Sequence, residues 1–112
     1  MTLLKSDKLL VILIMLFAVL QVNGQSERRM KLANELVEKL QFADAIEAYK
    51  RIHKKHPTDE VKIKIAECYI NINDPKNAVE WFDQVEDKIG MIPIDHYNYA
   101  QALTSMSRFD EA

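Results

Sequence analysis

His53 and His56 are three positions apart, so on a helix their two imidazoles could face one metal ion. The only other histidine, His96, lies far along the chain, and no cysteine or carboxylate pair stands at zinc spacing with them. The pair reads as solvated residues at the end of a helix. Cys68, the single cysteine, comes just before Tyr69 in an apolar helical stretch. It reads as a buried structural thiol, because a nucleophile would need a partner histidine. Asp83, Glu86 and Asp87 gather negative charge, and Lys50, Arg51, Lys54 and Lys55 gather positive charge. Both groups read as solvated helix surface rather than a calcium or anion site. The chain has no glycine-rich phosphate loop, serine nucleophile elbow or metal-binding helix motif. These residues point away from enzyme chemistry, with no cofactor and no metal expected, and toward a protein that works by binding.

The elements that would carry such a surface are helices. The 112 residues, with 2 glycines and 3 prolines, disfavour a turn-rich β protein. Leu, Ala, Glu, Lys and Ile suit helices, and the interspersed charge, formally −2, gives no basic stripe for nucleic acid. The first 24 residues differ from the rest. Lys5 and Lys8 precede an uninterrupted apolar run, Leu9 to Leu20, which is 12 residues long against the roughly 20 a spanning helix needs. Gln21-Val22-Asn23-Gly24 follows, with Val at −3 and Gly at −1 of a signal-peptidase site. Residues 1–24 therefore read as a cleaved signal peptide, against the alternatives of an uncleaved anchor or a buried helix. No cysteine lies near the cut, so a lipoprotein is not indicated. Cleavage removes Lys5, Lys8 and Asp7, which changes 15 basic and 17 acidic residues to 13 and 16, formally −3. One cysteine cannot form an internal disulfide, so packing alone must hold the exported fold.

Residues 25–112 repeat. Ala33, Ala66 and Ala100 are followed twelve positions later by Ala45, Ala78 and Ala112. Three residues before each second alanine stands Phe42, Pro75 or Phe109, and four residues after it, in the two complete copies, Tyr49 or Phe82. Small residues at these points let two helices approach closely while larger ones interlock around them. In the second copy Ile65, Tyr69 and Ile72 share one helix face, and Val79, Phe82 and Val85 share another. Asn73-Asp74-Pro75 forms a helix start, with Asp74 as cap and Pro75 at the first position. Gly90, with Pro93 after it, is the expected stop. The pattern predicts helices over about Glu27–Leu40, Phe42–His56, Asp59–Asn71, Pro75–Lys88 and Asp95–Ser105, with another beginning at Arg108.

This unit resembles the tetratricopeptide repeat. Leu32, Ala33, Leu36, Ala45, Tyr49 and Pro57 carry the likeness in the first copy (26–58). Ile65, Ala66, Tyr69, Ala78 and Phe82 carry it in the second (59–92), and Ala100, Leu103, Phe109 and Ala112 in the third (93–112, truncated). The family's Trp early in the first helix and its Gly between helices are absent, and Gly90 stands where its Pro would fall. The resemblance implies an all-α fold of stacked helical hairpins, a short α-solenoid. The leader together with Phe42-Ala43-Asp44-Ala45-Ile46-Glu47-Ala48-Tyr49-Lys50 is also similar to the opening of Bacteroidota envelope proteins. In those, such repeats precede a β-propeller-like region and an OmpA-like, peptidoglycan-binding domain, and some members serve type IX secretion.

In the repeat family the first helices line a groove that holds a peptide or a partner's helix. The matching positions are Met30, Asn34, Val37 and Glu38 in copy one, Ile63, Glu67, Ile70 and Asn71 in copy two, and Tyr97, Gln101 and Thr104 in copy three. Asn34, Glu67 and Gln101 stand at one offset, a polar ladder for a peptide backbone, or else ordinary solvent-facing residues. Met30 replaces the lysine of the family's carboxylate clamp, which disfavours chaperone tails. Two and a half repeats without a capping helix leave Tyr99, Leu103 and Met106 partly uncovered, so a fragment of a longer chain, or self-association through that end, is expected. The expected function is an exported envelope scaffold, in the periplasm or at the outer membrane, that binds a protein or peptide partner. The alternative is a structural spacer of a peptidoglycan-anchored OmpA-like protein.

Overall fold

The computed structural model describes the backbone of residues 2–111 and the side chains of residues 6–21 and 24–107. Five helices follow one another: α1 (Thr2–Glu38), α2 (Phe42–Lys55), α3 (Asp59–Asn71), α4 (Pro75–Asp83) and α5 (Pro93–Glu111). No strand occurs among the described residues. Each helix packs on the next in order from α1 to α5, and α5 also touches α3.

The two hairpins α1–α2 and α3–α4 turn in the same way. Leu40 N–H donates to Val37 O (2.9 Å) and Gln41 N–H to Leu36 O (2.8 Å). Asn73 N–H donates to Ile70 O (3.0 Å) and Asp74 N–H to Tyr69 O (2.9 Å). Each pair is a Schellman closure, which needs one left-handed residue just past the helix. Those residues are Leu40 (φ 61°) and Asn73 (φ 60°). The two turns thus share one backbone geometry. Past the second turn Asp74 caps α4, its Oδ1 accepting from Asn77 N–H (3.3 Å), with Pro75 at the start. Thr58 caps α3, its Oγ1 accepting from Val61 N–H (3.3 Å).

The alanines pack as the helix-contact argument requires. Ala33, Ala45, Ala66 and Ala78 are all 0% exposed. Around them lie Ile46, Tyr49, Ile65, Tyr69, Val79, Phe82 and Val85, all buried. Ile72 does not share that face and is 43% exposed, because it falls at the C-cap of α3 where the chain leaves the helix.

Four boundaries depart from expectation. No break precedes Glu27: α1 runs from Thr2 through Gly24, a residue whose lone helix penalty of about 1 kcal/mol is absorbed by good formers on both sides. Its outer segment is exposed, and the helix is long and apolar enough to cross a membrane, with mean hydropathy 2.0 over its most apolar window. Helix length thus does not separate a signal sequence from a span here. α4 stops at Asp83 rather than Lys88. Beyond it the Asp59 carboxylate accepts from Glu86 N–H (2.9 Å) and Asp87 N–H (3.0 Å), drawing the chain onto the start of α3. Gly90 therefore caps no helix. It permits a close approach, since its N–H meets Asp87 Oδ1 at 3.0 Å and a Cβ would lie 2.4 Å from Asp87 Oδ2.

The fourth departure is α5, which begins at Pro93 and continues to Glu111 instead of turning after Ser105. No left-handed residue or proline interrupts Ser105-Met106-Ser107, so the helix propagates. The side chains of Arg108, where another helix is expected to begin, and of Phe109 and Ala112 lie outside the described residues.

Candidate interaction groove

An opening of about 590 Å³ lies between α1 and the start of α3. Met30, Asn34 and Glu38 line it, with Ser26, Glu27, Lys31, Glu35 and Glu60. Four of these side chains are glutamates and one is a lysine, so the local potential is negative. The opposite side of the first hairpin is basic and partly apolar: Arg29, Arg51, Lys54 and Lys55 surround Leu32, Leu36 and Ala48. Charge is thus segregated between two faces although the chain is nearly neutral.

Asn34 is positioned by the second helix of its own hairpin. The buried Tyr49 hydroxyl donates to Asn34 Oδ1. Burial, and the charges of Cys68, Glu67 and Glu60 nearby, push the Tyr49 hydroxyl well above the usual phenol range, so it stays a donor. Val37, Ile63 and Ile70 are half-buried against the core and furnish the apolar floor rather than free contacts. Asn71 Nδ2 donates to Glu67 O (2.9 Å), holding that side chain along α3.

Glu67 faces a different neighbour from the expected ladder. It lies at the seam of α3 and α5 beside Asp95, a carboxylate only 3% exposed whose Oδ1 has no hydrogen-bond partner among the described residues. Burial first, then the hydrogen bond and charge of Asp95, push the Glu67 carboxyl up to about 7, opposed by Lys64, whose Nζ is 3.8 Å from Glu67 Oε2. Tyr97, Gln101 and Thr104 form an exposed stripe along α5, with Gln101 Nε2 donating to the Tyr97 hydroxyl (2.6 Å) and Thr104 Oγ1 to Ala100 O (2.9 Å). None of the three lines the α1–α3 groove.

Asp95 and Glu60 were missed as site residues, and Asp95 had a legible signal. At the 34-residue offset it matches Val61, which is buried, so a charge stands in a core register. Nothing in the sequence names its partner, because the α3–α5 contact is tertiary.

The other candidate chemistry resolves as structure. His53 is half-buried and meets Trp81 edge-on, ring centroids 5.0 Å apart, so it is not the solvated residue expected; His56 is exposed. Cys68 is buried, and burial pushes its thiol up to about 11, far from a thiolate at neutral pH. Asp83 accepts from the Tyr99 hydroxyl, and Asp87 from Gly90. Among the described residues no group of three or more His, Cys, Asp or Glu is placed to hold a metal ion.

Against known proteins, the chain gives no significant match to any family model, curated protein or solved structure.

Proposed function

We propose that this chain is an exported protein–protein interaction module of the cell envelope, built from tetratricopeptide-like hairpins that present a groove to a protein or peptide partner. The acidic groove on α1 and α3 is the observation that carries the reading. Support also comes from the two hairpins with equivalent turns at Leu40 and Asn73, and from the apolar N-terminal helix that suits export. In this reading Met30, Asn34, Glu38 and Glu67 contact the partner, and the half-buried apolar residues beneath them keep the surface in shape.

A spacer role is the second reading. Its support is that Asn34 and Gln101 already hold intramolecular hydrogen bonds, as a surface without a ligand would. Replacing Asn34, Glu67 and Gln101 together with alanine separates the two. The groove reading expects a captured envelope partner to be lost while helicity by circular dichroism is kept. Retention of every partner supports the spacer. Amino-terminal sequencing of the chain recovered from the envelope tests export with cleavage: the reading expects Gln25 first, and an intact Met1 would make α1 an anchor.

A further inference from the structure

We infer that the seam between α3 and α5 is an anchor for a lysine or arginine side chain of the protein partner, held by Glu67 and Asp95. The inference deepens the groove reading and rests on it. Two carboxyl groups side by side at a largely buried seam repel one another, and this favours the protonated form of Glu67 unless a counter-charge is near. Within the chain, the positive charge facing Glu67 is the Lys64 ammonium, 3.8 Å away and itself 39% exposed. That distance is a loose, solvent-screened pairing rather than a tight one. The other ionisable groups facing Glu67 are Tyr49 on α2 and its neighbour Cys68, both neutral at pH 7. Asp95 Oδ1, almost fully enclosed, has no donor among the described residues. A buried acceptor in that condition is destabilising, and a donor brought from outside would relieve it.

The seam is reachable because the Glu67 side chain retains 29% exposure. It also adjoins a surface of matching sign, since Glu60, one of the groove's four glutamates, lies two helical turns earlier on α3. A basic segment would be drawn along this line of carboxylates and would place one cationic side chain between Glu67 and Asp95. The step balances in charge: the ammonium or guanidinium enters, and the fraction of a proton held by the Glu67 carboxyl leaves to solvent.

The test uses the full chain in a zwitterionic detergent and the peptide acetyl-tetralysine-amide, titrated calorimetrically in phosphate and in Tris at pH 7. The expected result is binding with release of a fraction of a proton, seen as a difference in heat between the two buffers. Affinity is expected to fall about tenfold between pH 8 and pH 6, as one proton comes to compete for the site. Glu67→Gln should abolish both the proton release and the pH dependence, and Lys64→Gln should tighten binding. Equal heats in the two buffers, or unchanged affinity in a Glu67→Gln chain of native helicity, overturns the anchor. If that single variant still captures the envelope partner while the triple alanine variant loses it, the groove reading stands and only the basic anchor falls.

Discussion

Ala66 and Ala100 occupy the same offset in successive copies, yet Ala66 is sealed and Ala100 is exposed. The difference lies in what the chain does next. After α3 it turns at Asn73 and returns as α4, covering Ala66 with Ala78 and Phe82. After Ala100 it continues as α5, which buries Asp95 and Ala102 and half-buries Tyr99 and Met106 against the preceding helices. A small residue in a repeat is thus a mark of close approach only where a second helix comes back over it.

Overpacking is the largest way to test that contrast. Ala66→Leu should destabilise the fold by about 1–3 kcal/mol, because the neighbouring helices must move apart. Ala100→Leu should change stability by less than about 0.5 kcal/mol. Urea midpoints read both, and equal losses would mean that another helix does cover Ala100.

The two turns make a smaller comparison. Leu40 and Asn73 share a left-handed backbone, but a branched apolar side chain carries a penalty there that asparagine largely escapes. Leu40 is also 73% exposed, so its side chain contributes little packing in return. Leu40→Gly should stabilise by about 1 kcal/mol, while Asn73→Gly should gain less. A loss at Leu40 would show that its side chain is used by a contact not formed in the isolated chain.

The smallest effects are electrostatic and opposite in sign. Glu67 titrates higher in the folded chain than the usual 4.5, so its contribution is complete below that value and is lost as pH rises toward 7. Asp59 is held below its usual 3.8 by the Glu86 and Asp87 N–H groups, so its contribution is present above that value and is lost as pH falls. The urea midpoint should therefore decline between pH 4.5 and 7, and Glu67→Gln should flatten that slope while leaving the acid limb in place. A slope unchanged by Glu67→Gln would mean that other groups carry it.

Much of the fold was legible because its signals are local. Phe42 and Asp59 open helices where expected, and Asp74 and Pro75 start α4, since caps and proline act within one turn. The four buried alanines were legible from their spacing alone. The early end of α4 was not, because the Asp59 carboxylate that captures Glu86 and Asp87 comes from more than 25 residues away. Nor was the role of Gly90, whose stop-like position conceals a close contact with Asp87.

The same division holds at the candidate site. The sequence by itself determined the helical class, the apolar N-terminal segment and the paired alanines, all of which depend on periodicity and nearest neighbours. Only the tertiary structure decided that Asn34 is held by Tyr49, that Glu67 faces Asp95 rather than a ladder, and that acid and base lie on opposite faces of the first hairpin. Which charge meets which is set by how helices cross, and no residue carries that information alone.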